Sequence, residues 1–86
     1  MPYLNPELLA EAEHLAAREY SVTALEDTLS NGETVYVLGH PELSGCKSHG
    51  KTLEEAAQNL RDATIDYIYF LLEDGLSVPD PLLTTE

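Results

Sequence analysis

Residues 52–75 carry a helix with apolar residues on two sides, and an 86-residue chain has few ways to cover both. Thr52-Leu53-Glu54-Glu55 has the form of a capping box, Thr at the cap and Glu three residues on, which satisfies backbone N–H groups of the first turn. The pattern predicts a helix from Leu53 to about Glu73, with Gly75 at the C′ position where a left-handed residue closes a helix. Leu53, Ala56, Ala57, Leu60, Thr64, Tyr67 and Leu71 form a stripe wide enough to cover a sheet face. Ile65, Ile68, Tyr69 and Leu72 form a second apolar surface well round from the first, and within residues 65–72 Asp66 alone is charged. A helix lying on one sheet needs a single apolar face. The second must therefore meet either another helix of the same chain or a second copy, for which Ile65, Ile68, Tyr69 and Leu72 would be the self-association surface.

The helix available for that role lies at the N-terminus. Asn5 as cap, Pro6 at the first helical position and Glu7 in the first turn start a helix expected over residues 6–18, with Leu4 and Leu9 placed as a hydrophobic staple. Leu8, Leu9, Ala12, Leu15 and Ala16 form its apolar stripe. From Tyr20 the period becomes that of a strand: Tyr20, Val22 and Ala24 alternate with Ser21, Thr23 and Leu25. Asn31-Gly32 marks a hairpin turn, in a loop with room for more than two residues, and Thr34-Val35-Tyr36-Val37-Leu38 follows with strong β propensity. Pro41 cannot donate to a sheet, so the second strand is expected to end at His40. Cys46-Lys47-Ser48-His49, between Gly45 and Gly50, suits one short strand. The prolines of Ser77-Val78-Pro79-Asp80-Pro81-Leu82-Leu83 make the tail extended, able to add a short fourth strand at a sheet edge.

Composition narrows the function classes. Sixteen acidic residues against four basic ones (Arg18, Lys47, Lys51, Arg61) give a formal net charge of −12, which repels phosphate backbones and favours a basic protein partner. The 43% hydrophobic content is that of a globular chain. Cys46 is the single cysteine, so no disulfide forms within the chain, and a lone thiol fits a reducing compartment. No secretory signal is evident, and no apolar run approaches the ~18 residues of a membrane span. A cytoplasmic location is expected, without membrane or direct nucleic-acid binding.

Residues 40–56, HPELSGCKSHGKTLEEA, hold the residue types of a metal site or a nucleophile with its base. His40, Glu42, Cys46 and His49 are competent zinc ligands, but structural zinc sites pair ligands two to four residues apart twice over, and here only Cys46 and His49 have that spacing. A Cys46–His49 nucleophile pair would have Lys47 and Lys51 nearby, yet the acidity of the chain opposes a thiolate and no third orienting residue is identifiable. Gly45 and Gly50 match no phosphate-binding loop. Neither a metal, a cofactor nor a catalytic residue is expected. The run reads as strand end, turn, short strand and capped helix start.

That run, with the helix and tail after it, resembles the HicB antitoxin family. The recurring pattern is a hairpin, a Pro-Glu-Leu-x-Gly-Cys turn, a Gly a few residues on, Thr-x-x-Glu-Ala opening a helix, and a Gly then a proline-containing segment after it. The matches are Pro41, Glu42, Leu43, Gly45, Cys46, Gly50, Thr52, Glu55, Ala56, Gly75, Pro79 and Pro81, with Asn59-Leu60 between, and they extend from about Tyr20 to Leu83. The resemblance implies a β-β-β-α-β domain, an incomplete ribonuclease H-like sheet with one helix packed on it. It also implies a non-enzymatic protein that binds and neutralises HicA, a small basic mRNA-cleaving toxin. Many relatives carry a C-terminal DNA-binding module. This chain stops at Glu86, so the short stand-alone form without that module is expected, and its first helix is an addition to the usual pattern.

The fold expected is a single α+β domain over residues 1–86: N-terminal helix to residue 18, three-stranded antiparallel meander and long helix over 19–76, and an extended tail over 77–86. The function expected is antitoxin-like binding of a HicA-type toxin by a homo-oligomer, with an orphan oligomeric binding or regulatory module as the alternative.

Overall fold

Both helix starts form as their local sequence requires. In the computed structural model, which describes residues 4–81, α1 spans Pro6–Ala16, and Asn5 Oδ1 accepts from the N–H groups of Glu7 and Leu8 at 3.0 and 3.2 Å. α2 spans Leu53–Glu73, and Thr52 Oγ1 accepts from Glu55 N at 3.0 Å. The reciprocal half of the capping box is displaced by one residue, since Glu55 Oε1 accepts from Lys51 N at 2.7 Å. At the other end Gly75, at φ +72°, donates to Leu72 O at 3.1 Å while Leu76 N donates to Leu71 O at 2.8 Å, the paired bonds of a Schellman motif.

Three strands, β1 (Thr23–Thr28), β2 (Thr34–Gly39) and β3 (Lys47–Gly50), form an antiparallel sheet in the order β1-β2-β3. Thr23 pairs with Gly39 and Thr28 with Thr34, while Tyr36 pairs with Gly50 and Gly39 with Lys47. The hairpin loop is longer than two residues: Leu29 N donates to Glu33 O, Asn31 Oδ1 accepts from Glu33 N, and Gly32 takes φ +88°. β1 starts three residues later than the alternation from Tyr20 suggests. Tyr20 is held in a side-chain cluster instead, and the strand that forms includes Glu26 and Asp27.

α2 lies across β3 and β2, and α1 packs on α2 away from the strands. The second apolar surface of α2 is thereby covered in cis. Ile68 and Tyr69 are fully buried, as is Ala12 of α1, with Leu8, Leu9, Leu15 and Ala16 packed alongside. Burying side chains of this size contributes roughly 1.5–3 kcal/mol each. The phenol of Tyr69 also accepts from Leu4 N and Asn5 N at 2.9 and 3.0 Å, which pins the start of α1. The expected staple does not form, because Leu4 is 80% exposed and its backbone, not its side chain, meets α2. Residues 77–81 follow as coil and form no fourth strand; Leu82 and Leu83 lie outside the described residues. The α+β architecture with an open sheet is the one expected. Among the described residues no helix is long and apolar enough to cross a membrane.

Candidate functional site

The residues of the Pro-Glu-Leu-x-Gly-Cys turn build the join between sheet and helix. Leu43 N donates to His40 O at 3.0 Å, Cys46 N to Leu43 O at 2.8 Å and His40 N to Cys46 O at 3.1 Å, while Gly45 takes φ +80°. This closed turn drives Leu43 and Cys46 into the core, where neither retains more than 4% exposure. Pro41 is exposed, and Glu42 Oε2 reaches back to accept from Ser21 N at 2.9 Å, fastening the turn to the segment before β1. Gly50 lets β3 press against the first turn of α2: a Cβ there would lie 2.5 Å from Ala56 N, and Ala56 is fully buried. Thr52 and Glu55 serve the N-terminal cap of α2, and Gly75 its C-terminal one.

The nucleophile and metal candidates separate. Cys46 Sγ lies in the core 3.5 Å from Thr64 Oγ1, which itself donates to Leu60 O at 2.7 Å. His49 is exposed on the sheet, and its carbonyl accepts from Asn59 Nδ2 at 2.8 Å. His40 Nδ1 contacts Ser21 O at 2.7 Å, with its ring 5.5 Å from that of Tyr20. Among the described residues no group of three or more His, Cys, Asp or Glu side chains is placed to hold a metal ion.

A polar clasp ties the tail to the start of the sheet. The Tyr20 hydroxyl donates to Pro79 O at 2.5 Å, and Arg18 donates to Tyr20 Oη at 2.6 Å, to Pro79 O at 3.2 Å and to Asp80 Oδ1 at 2.7 Å. Burial pushes the Tyr20 hydroxyl above the ordinary 10.0, Arg18 opposing and the carboxylates of Asp80 and Glu42 adding to the rise. Burial alone would lower the Arg18 pKa, but Asp80 and Tyr20 together outweigh it and raise it. Pro79 thus acts through its carbonyl, and Pro81 beyond it is half-buried.

Three surfaces stand open among the described residues. All six residues of β1 are exposed, and neither helix reaches this edge strand. A groove of about 700 Å³ runs between α1, α2 and the start of the sheet, lined by Glu13, Val22, His40, Arg61 and Ile65 among others. The third surface lies on the Val35 and Val37 side of the sheet, where a depression of about 570 Å³ lined also by Leu29, Lys47 and His49 runs round β3 to Glu55 and Asn59 of α2. Of the four residues read as a self-association surface, Ile68 and Tyr69 have no exposure and Ile65 and Leu72 are partly buried, with α1 packed on α2. Sequence reasoning missed the open sheet face. Its signal was present in β2, where Val35, Tyr36, Val37 and Leu38 are apolar in succession and so leave neither face polar.

Exposed carboxylates are spread over α1 (Glu7, Glu11, Glu13), β1 (Glu26, Asp27) and the outer side of α2 (Glu54, Asp62, Glu73). Such a distribution raises the encounter rate with a basic partner from many directions.

Comparison with known proteins places this geometry. No curated protein matches the chain. The crystal structure of TTHA0281 from Thermus thermophilus is similar at 28% identity and a TM-score of 0.54, over 94% of this chain and 93% of that one. The similarity reaches beyond residues 20–85 toward the N-terminal helix. Residues 20–85 match the family described as the HicB_like antitoxin of bacterial toxin-antitoxin system. The chain belongs to the HicB-like antitoxin family.

Proposed function

We propose that this protein neutralises a small basic mRNA-cleaving toxin of the HicA type by binding it, not by catalysis. Family membership supports a toxin-antitoxin role, and the observation that carries the finer reading is the exposed acidic surface of a chain whose net charge is −12. A ribonuclease must present positive charge to RNA. Carboxylates on α1, β1 and α2 would meet that surface in place of phosphates, steering the encounter and excluding the substrate. The burial of Cys46 away from His49 supports a binding role. The acidity disfavours direct contact with nucleic acid, and a toxin acting on mRNA places the pair in the cytoplasm.

The proposal includes self-association of the antitoxin, supported by the apolar side chains on the open sheet face. The test is affinity capture of the tagged chain from its host at low salt. A stoichiometric, small, basic chain released by high salt is expected, and adding back the pure protein should stop its cleavage of mRNA. Capture of no such chain, or of one whose cleavage is unaffected, refutes the reading and leaves an oligomeric module without a toxin.

A further inference from the structure

The sheet has two faces, and the described residues cover one. Gly50, Leu38 and Tyr36 face α2, as the close approach of Gly50 to Ala56 and the burial of Leu38 establish. Because successive strand residues alternate sides, the opposite face carries Thr23, Leu25 and Asp27 from β1, Val35 and Val37 from β2, and Lys47 and His49 from β3. Leu25 is 64% exposed and Leu29, at the end of the patch, 43%. Among the described residues no helix crosses this side, which Glu55 and Asn59 of α2 border at the β3 edge.

The charges on this face are sorted. Strand pairing sets Asp27 beside Val35 and Leu25 beside Val37, with His49 on the far side of Val37. Lys51, just past β3, lines the depression next to Val35. An acid therefore flanks the apolar strip on the β1 side, and lysines flank it on the β3 side. Among the described residues the ion pair formed within the chain is Arg18–Asp80, so neither Lys47 nor Lys51 is neutralised in cis. Glu55 stands at the same rim, but its carboxylate accepts from the Lys51 backbone N–H. In a chain with sixteen acidic residues, two lysines on one uncovered apolar face form a local reversal of sign.

We infer that two copies of this chain associate through these open faces, related by a two-fold axis parallel to β2. That axis lays β1 of one copy over β3 of the other without shifting either along the strand direction. Leu25 then meets the level of the partner copy's His49, and Asp27 that of the partner copy's Lys51, with each contact made twice by symmetry. The opposite choice, an axis perpendicular to the strands, sets acid side over acid side. Charge complementarity thus selects a second copy in one orientation. The patch spans roughly 10 by 20 Å given strand spacings of ~4.8 Å and a rise of ~3.3 Å per residue. Two such patches amount to roughly 400 Å² of footprint, below the size of standard specific interfaces, so the dimer is a weak and transient one.

This assigns a face to the self-association included in the proposed function and rests on that reading. The experiment is sedimentation velocity on the full chain up to about 100 μM, the range a small interface calls for. A dimer is expected. Val37→Glu, which sets like charges against each other across the axis, and Leu25→Lys, which faces the partner copy's lysine side, should each weaken it at least about tenfold, with helical circular dichroism unchanged. Leu76→Glu, at another exposed apolar position, should leave it intact. Lys51→Asp and Asp27→Lys alone should weaken the dimer, and the double variant should restore it. A dimer indifferent to these two changes, or a swap that does not restore, overturns the assigned face and leaves self-association standing. A chain that stays monomeric throughout overturns both.

Discussion

Replacing Gly50 by alanine should be the most damaging single-methyl change in this chain, and the damage is steric. Gly50 is not among the glycines with positive φ, so alanine meets no backbone penalty there. The added Cβ would lie 2.5 Å from Ala56 N and 2.9 Å from both the carbonyl carbon and the Cβ of Glu55, where ordinary contact begins at 3.4 Å. Relief requires a displacement approaching 1 Å, and most of the opposing atoms are helix backbone, which has no rotamer to change. The first turn of α2 must lift from β3, loosening the buried Ala56. Overpacking of this kind costs about 1–3 kcal/mol and occasionally more. With backbone on both sides we expect about 3 kcal/mol, less some 0.4–1 kcal/mol from the stiffer unfolded chain. Total stability for a chain of this length is roughly 4–13 kcal/mol, so the loss is a substantial fraction. At ~4–8 °C per kcal/mol the midpoint should fall by about 10–20 °C. Urea unfolding followed by circular dichroism at 222 nm measures it. Gly32→Ala is the control: φ is +88° but nothing lies within 4 Å of its Cβ position, so the cost is conformational alone, about 1–2 kcal/mol. If Gly50→Ala costs no more than Gly32→Ala, the tight helix–sheet contact is not what holds α2 in place.

Other outcomes follow from the core and the clasp. Leu43→Ala, at a fully buried position, should cost about 2–5 kcal/mol in the same urea assay, whereas Ser44→Ala beside it should be near neutral. Tyr69→Phe keeps the packing but removes the acceptor for Leu4 N and Asn5 N; a loss of about 1 kcal/mol is expected, with faster amide exchange at residues 4 and 5. The raised pKa of Tyr20 means that the unfolded chain ionises this phenol before the folded one. Stability is therefore fully present below the ordinary tyrosine value and lost as pH rises through the folded value, and Tyr20→Phe should flatten that alkaline dependence without changing stability trends near neutrality. Cys46, at 4% exposure, should react with a thiol reagent only as fast as the chain opens, and an unprotected rate in the native state would contradict its burial.

Most of what the residues announce before folding is local, complete within about five positions. Asn5 and Thr52 cap their helices through bonds to N–H groups two or three residues on, and Gly75 closes α2 through bonds to carbonyls just before it, so the local chain contains both partners of each interaction. The turn that buries Leu43 and Cys46 is local in the same sense, which is why its motif could be read as architecture. Where partners are distant, the residues alone left alternatives. The second apolar surface of α2 had two equally good covers, and the choice of α1 emerges only in the folded chain, with Tyr69 binding the backbone that precedes it. The start of β1 was settled by pairing with β2 and by the draw of Tyr20 toward Arg18 and Pro79, the latter some sixty residues away. Leu4 held a staple position by spacing, yet the entry path of the chain turned its side chain to solvent. Hydrophobic attraction is non-directional, so a pattern of apolar residues states that a face must be buried without stating against what. The open face of the sheet is the same lesson in reverse. Four successive apolar residues in β2 required cover on both sides, and the described residues supply it on one.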